Sequence, residues 1–232
     1  MKNITLAVLA VILMSCASHA PSGTRTPIDL LPMYGGIDRQ AVAALKSADE
    51  RLVRDATAKF GTRERASAEF AQKGFTLYQL DDAAGAMRRF NQAWVLDPDN
   101  PEVFWGFASV LHDGTKYCEA MEMIEKSLRY RKHIDGLYPD AARIIVRCTV
   151  SDGQLTAARK EERFRKADEL YSEAVEKDRN KGHVYASWAT SYYWRGRYAD
   201  SWEMVGKARQ AGANLPEPFL SMLRAKMPEP RR

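Results

Sequence analysis

The sequence lacks the residue patterns that build common catalytic, phosphate-binding and metal sites. Its four histidines, His19, His112, His133 and His183, lie far apart, and no two of them have the spacing of metal ligands. A glycine-rich phosphate loop and a nucleophile elbow are both missing. We therefore expect no enzymatic activity, and we assign no catalytic residue, cofactor or metal ligand.

Long runs of one charge sign are also missing. The 232 residues include 35 Lys and Arg against 30 Asp and Glu, and the resulting charge of +5 is mixed along the chain rather than gathered in a basic stripe. This balance gives no reason to expect nucleic-acid binding. Charged residues make up 28% and aromatic residues 10% of the chain, which is the composition of an ordinary folded domain.

The start of the chain has the features of a secretion signal. Lys2 precedes an apolar stretch, Ile4 to Met14, that is about half as long as the ~20 residues of a transmembrane helix. Leu13, then Met14 and a small residue, lead to Cys16 in a pattern that resembles the lipobox of bacterial lipoproteins. The resemblance implies that residues 1–15 are removed and that Cys16 carries the lipid. An ordinary secretory signal with a chance cysteine is the alternative.

The lipobox resemblance also implies a location. Ala17 stands where an Asp would resemble the signal for retention in the inner membrane, so we expect a lipid anchor at the periplasmic face of the bacterial outer membrane. Residues 16–36 read as a tether, with a cap segment from Leu30 to Gly36 at its end. A helix within residues 37–62, from about Arg39 to Lys59, should then cover the first apolar face of the fold.

The chain repeats itself with a period of 34 residues. When residues 67–127 are shifted by 34, the following pairs align: Phe70 with Phe104, Gly74 with Ala108, Leu77 with Leu111, Ala86 with Ala120, Phe90 with Ile124 and Ala93 with Ser127. This period, with small residues at the helix crossings, resembles the tetratricopeptide repeat (TPR) family. The resemblance implies an all-α fold, a right-handed α-solenoid of helical hairpins over residues 63–232.

The repeats differ in regularity. The first is expected at 67–100 and the second at 101–132, with Asp82 as a helix cap and Pro101 as a first helical residue. The third begins at Pro139, and its second helix comes late because about nine extra residues precede it. A fourth repeat at 182–213 and a capping helix at 216–227 complete the prediction of three to four repeats.

The family resemblance also implies a binding surface, because first-helix side chains at fixed positions line the concave face of such a solenoid. We expect these residues to bind an apolar or extended peptide segment of a protein partner with some acidic character. Packing of the same rings beneath the N-terminal helix or the third-repeat insertion is the alternative. The predicted protein-binding residues are Phe75, Tyr78, Trp105, His112, Arg143, Arg147, His183, Tyr193 and Trp194.

Two further cysteines lie where neighbouring predicted helices meet. Cys118 begins the second helix of repeat two, and Cys148 ends the first helix of repeat three, which runs beside it. In the periplasm such a pair can oxidise, so we predict a disulfide, with two separate buried thiols as the alternative.

Two functions from different classes agree with this prediction. The first is a scaffold or assembly factor of an envelope complex, and the second is an immunity protein or inhibitor that neutralises a toxic effector enzyme in the periplasm. A structural envelope protein that recognises glycan through the same aromatic residues is a weaker third. The identity of the partner and the oligomeric state do not follow from the sequence.

Overall fold

Ten α-helices account for most of the chain that the structure describes. The computed structural model describes residues 26–130 and 133–230, so the signal segment, Cys16 and most of the tether lie outside the described residues. Two short 3-10 turns, Ile28–Leu30 and Pro32–Gly36, come first. The helices are α1 Ala43–Phe60, α2 Arg63–Gln79, α3 Ala83–Leu96, α4 Pro101–Asp113, α5 Tyr117–Leu128, α6 Leu137–Ser151, α7 Ala157–Lys177, α8 Lys181–Trp194, α9 Tyr198–Gln210 and α10 Glu217–Lys226.

The helices pack in consecutive pairs. The pairs are α2 with α3, α4 with α5, α6 with α7, and α8 with α9, and each pair also contacts the next one. Helix α1 packs on the first pair and α10 on the last. No strand occurs within residues 26–130 and 133–230. The prediction of an all-α protein is confirmed, and the pairing is consistent with a helical repeat arrangement.

Local hydrogen bonds explain where the helices begin. As predicted, the Asp82 side chain caps α3 by accepting from the Gly85 amide, and Pro101 is the first residue of α4. Asn100 and Asn180 cap α4 and α8 in the same way. A side-chain oxygen at this position satisfies an amide that has no partner within the helix, so each cap fixes the boundary between two helices.

Phe90 lies at the centre of the first two pairs. Its ring is fully buried and packs at the helix crossings beside Gly74 and Gly106. A Cβ atom at Gly74 would come within 2.6 Å of the Phe90 ring, which is closer than real atoms approach. The glycines therefore create the space that this ring fills, and they hold α2 and α4 against α3.

Most of the buried residues lie in two clusters. One large cluster runs from α2 to α8, and a second joins α8, α9 and α10, with the half-buried Trp188 packed against both. Phe70 and Tyr185 are only half-buried. The chain thus builds its core in two main parts that meet at α8.

The third pair contains the extra residues that the sequence analysis places before its second helix. Helix α7 begins at Ala157 and is 21 residues long, so the charged residues from Arg159 to Arg165 are a continuous part of this helix. Thr156 caps it by accepting from the Arg159 amide. Helix α1, in contrast, begins at Ala43, four residues after the predicted Arg39.

The segment before α1 packs against α3. The fully buried Asn91 of α3 donates to the Asp29 and Leu31 carbonyls at 3.0 and 2.9 Å and accepts from the Tyr34 amide at 3.2 Å. Met33 and Tyr34 have positive φ angles of 51° and 53°. One buried amide side chain therefore holds an unusual backbone turn on the surface of the first pair.

A disulfide joins Cys118, at the start of α5, to Cys148, near the end of α6, and their Cα atoms lie 4.7 Å apart. It links the second pair to the third where the sequence predicts it. Such a bond is typical of an oxidising compartment outside the cytoplasm. Among the described helices, none combines the length and the apolar character that a bilayer crossing requires.

Candidate functional site

The nine predicted binding residues all lie on the first helices of the four pairs, α2, α4, α6 and α8. Four of them line one cavity of about 320 Å³ at the ends of α4, α6 and α8. These four are His112, Arg143, Arg147 and Trp194, and the remaining wall is formed by Asp113, Tyr117 and Thr190. We call this the arginine cavity.

Arg147 lies between two aromatic rings in this cavity. Its guanidinium carbon is 4.3 Å from the centre of the Tyr117 ring and 3.8 Å from the centre of the Trp194 ring. One guanidinium nitrogen also donates to the Tyr117 hydroxyl at 2.5 Å. A cation held between rings is attracted to both π faces, so Arg147 is fixed in position while Trp194 remains 39% exposed.

A chain of polar contacts orders the other side of the cavity. The Arg143 guanidinium donates to Asp140 Oδ1 at 2.8 Å and lies 3.2 Å from His112 Nδ1. His112 Nδ1 lies 3.0 Å from Asp113 Oδ1 and donates to it, so the approach of Arg143 to this nitrogen is a contact and not a second hydrogen bond. These contacts connect the end of α4 with the first turns of α6.

Two further predicted residues support this chain rather than line the cavity. The Tyr78 hydroxyl on α2 donates to Asp113 Oδ2 at 2.5 Å. The Trp105 indole nitrogen donates to Asp140 Oδ2 at 3.0 Å. Each carboxylate therefore has partners on two different helices, so three successive pairs are joined by polar contacts.

These contacts change the ionisation of two residues. The hydrogen bond with His112, opposed in part by burial and reinforced by Tyr78, lowers the pKa of Asp113. Burial, together with the hydrogen bond to Asp113, raises the pKa of Tyr78. At neutral pH Asp113 is therefore a carboxylate and Tyr78 a neutral hydroxyl that donates to it.

The other three predicted residues lie elsewhere. Phe75 packs between Phe90 and Trp105, with ring centres 5.1 and 4.9 Å away. Tyr193 packs against Phe219 of the C-terminal helix at 5.8 Å. His183 lies at the start of α8 and lines a different cavity. The nine predicted residues thus lie on the expected helices, but only some of them come together in one site.

A second, more apolar cavity of about 410 Å³ shares Tyr78 and Asp113 with this network, and the sequence did not indicate it. Its apolar wall comes from Leu30, Met87, Val110 and Leu111. Leu30 belongs to the segment before α1, so no periodic pattern in the repeats could have pointed to it. We call this the apolar cavity, and Asp113 lies on the boundary between it and the arginine cavity.

The arrangement suits recognition of a ligand with both charge and apolar surface. Arg143 and Arg147 are cations in fixed positions that can hold a carboxylate, and the exposed face of Trp194 can stack on a flat or apolar group. The adjoining apolar cavity can take an aliphatic side chain. Comparison with protein-family models and with curated proteins finds no match to this chain.

Proposed function

We propose that this chain is a periplasmic TPR lipoprotein anchored to the outer membrane, which binds a protein partner as a scaffold or assembly factor of an envelope complex. In this proposal the helix pairs form a right-handed α-solenoid, and the first helices line its concave face. The protein acts by binding and has no catalytic role of its own. The partner occupies the arginine cavity and the neighbouring apolar cavity.

The observation that carries the proposal is the stack of Tyr117, Arg147 and Trp194. Exposed tryptophan and fixed arginine are the residue types that contribute most to protein–protein binding when a partner covers them. Trp194 is 39% exposed, although burying an indole ring stabilises a fold considerably. Its position over Arg147 prepares the ring for a partner at little cost in conformational entropy.

The two cavities define the partner's chemistry. An acidic side chain would pair with Arg143 and Arg147, and an apolar side chain nearby in the same segment would enter the space beside Met87 and Val110. Asp113, ionised at neutral pH, would repel a second acidic group between them. The partner segment is therefore extended and apolar, with an acidic residue at one end of the contact.

The location rests on the sequence together with the disulfide. The apolar start of the chain, the lipobox pattern before Cys16 and an oxidised Cys118–Cys148 pair all agree with export. With the predicted tether after Cys16, the folded part would lie on the order of 20 Å from the bilayer. The binding surface would then be within reach of other envelope proteins.

Quantitative affinity capture from envelope extracts tests the binding surface. The unaltered chain is compared with Trp194→Ala, Arg147→Ala and the control Tyr130→Ala, which removes an aromatic side chain of similar exposure (40%) outside the site. We expect one set of envelope proteins to be lost with the first two variants and retained with the control. Equal recovery with all four chains would contradict the proposal.

Deletion of the protein separates a scaffold from an inhibitor, since both would use the same surface. Loss of a scaffold damages an envelope complex in a pure culture. Loss of an immunity protein has an effect only when the toxic enzyme is present. The proposed scaffold predicts an envelope defect without any competing cell, and a defect seen only beside a toxin producer would contradict it.

A further inference from the structure

Three metal-ligating side chains meet at the junction of α6, α7 and α8, away from both cavities described above. They are His133 and Asp135, which precede α6, and Asp178, which directly follows α7. Each offers a ligand atom, and these atoms all lie within 4.8 Å of one another. His133 Nε2 is 3.2 Å from Asp135 Oδ1 and 3.6 Å from Asp178 Oδ1.

Asp178 is buried, and one of its two carboxylate oxygens has no hydrogen-bond partner among the described residues. Its side chain is only 3% exposed, and its Oδ2 accepts from the Gly136 amide at 3.0 Å. Its other oxygen, Oδ1, is buried and accepts no hydrogen bond from any residue in the described part of the chain. A buried carboxylate oxygen without a hydrogen bond is unfavourable, so the position favours a cation.

The cluster borders a cavity that can hold the water ligands of a bound ion. Asp178 and Asp135 line a cavity of about 470 Å³, whose wall also includes Asn180 and His183. We propose that a divalent transition-metal ion, for which Zn²⁺ is the suitable probe, binds His133 Nε2, a carboxylate oxygen of Asp135 and Asp178 Oδ1. The remaining coordination positions face the cavity.

The donor set selects this class of ion. One imidazole nitrogen with two carboxylate oxygens is a mixed set that Zn²⁺ and its neighbours bind well, whereas Ca²⁺ and Mg²⁺ prefer oxygen ligands alone. The bound ion would cross-link the segment before α6 to the connection between α7 and α8. It would thereby fix the third pair, which has the long helix α7, against the fourth.

Arg179 competes with the ion for one ligand. Its guanidinium Nε donates to Asp135 Oδ2, but the Arg179 side chain is 90% exposed. An ion pair with so exposed a partner is weak, so a metal ion can displace it. Removal of Arg179 should therefore strengthen metal binding, while removal of a ligand should weaken it.

The test is a Zn²⁺ titration of the full-length chain, purified without a histidine tag, freed of metal with a chelator and alkylated at any free thiol. We expect one equivalent to bind. Even the loss of a residue that only supports a ligand commonly weakens binding by about 10–100-fold. His133→Gln and Asp178→Asn should therefore each weaken binding by at least about tenfold, while His112→Gln, which removes a histidine outside the cluster, should leave it unchanged.

Arg179→Ala keeps the test decisive if either ligand variant fails to fold, because it removes only an exposed side chain. We expect this variant to bind Zn²⁺ more tightly than the unaltered chain. Zn²⁺ should also raise the Tm of the unaltered chain and of Arg179→Ala. Absence of one-to-one binding, or equal affinity of Arg179→Ala and the unaltered chain, would overturn the proposal.

Discussion

The guanidinium carbon of Arg147 lies 3.8 Å from the centre of the Trp194 ring, and this contact joins the first helices of two different pairs. Arg147 belongs to α6 and Trp194 to the last turn of α8. Tyr117, from α5 of the preceding pair, covers the other side of the cation. The arginine cavity therefore exists only because three successive pairs are packed in a fixed register.

The glycines around Phe90 provide a stability prediction. In Gly106→Ala the new methyl group would overlap the Phe90 ring, which is fully buried and also packs beside Gly74 and Phe75. Overpacking of this kind commonly costs about 1–3 kcal/mol. We expect the free energy of unfolding, measured by urea denaturation, to fall by that amount.

Gly206→Ala is the matched control. Gly206 lies within α9, and a Cβ atom there would meet no other atom within 4 Å. Alanine favours a helix and restricts the unfolded chain, so this variant should be more stable by about 0.4–1 kcal/mol. An equal loss of stability in both variants would show that the space filled by Phe90 is not the cause.

Reduction of the disulfide should destabilise the protein. The bond closes a loop with a sequence separation of 30 residues. In the chain-entropy account, opening such a loop costs about 3–4 kcal/mol, since the unfolded chain gains freedom. Urea denaturation with and without a reductant measures the difference. The stability of the double variant Cys118→Ser/Cys148→Ser should not change with reductant. If the reductant destabilised this variant as well, the loss of stability would not come from this disulfide.

Asp113 should make stability depend on pH. Because its hydrogen bond with His112 lowers its pKa in the folded state, its carboxylate stabilises the fold above the ordinary Asp value of about 3.9, and this contribution is lost as the pH falls through the lower folded value. Asp113→Asn should therefore be less stable than the unaltered chain at pH 7. The difference should shrink under acid conditions.

Urea denaturation over a pH series tests this prediction, with Tyr78→Phe as the comparison. Tyr78 donates to the same carboxylate but lowers its pKa less than His112 does. Tyr78→Phe should keep part of the pH dependence that Asp113 contributes, whereas Asp113→Asn should remove this contribution. A stability difference between Asp113→Asn and the unaltered chain that stays constant with pH would contradict this role of Asp113.

The lipid anchor can be tested by fractionation. Cys16→Ser removes the proposed lipid attachment site, so the variant should be absent from the outer-membrane fraction where we expect the unaltered chain. Cys148→Ser, which alters a different cysteine, should stay with the membrane. Equal membrane association of Cys16→Ser and the unaltered chain would show that Cys16 is not the anchor.

Local patterns made the helices predictable. Asp82 and Pro101 mark helix starts through backbone chemistry that acts within one turn, and the 34-residue period marks the crossings where Gly74 and Phe90 meet. The disulfide was predictable from the repeat as well, because both cysteines lie at helix ends that the packing of neighbouring pairs brings together.

The site was less predictable because it depends on contacts between distant residues. Phe75 and Trp105 occupy repeat positions expected to face a partner, but each ring packs against the other. Leu30 reaches the apolar cavity from outside the repeats. His133 precedes the third pair and Asp178 follows it, yet their side chains lie close together. No spacing along the sequence indicates this contact.

Photo-crosslinking in intact cells tests most directly whether the first-helix surface binds a protein. A photoreactive phenylalanine analogue replaces Trp194 in one strain and the equally exposed Tyr130 in another, which keeps an aromatic ring at both positions. The proposed function predicts a discrete adduct with an envelope protein at position 194 and none of that size at position 130. Identical adducts at both positions, or none at 194, would contradict it.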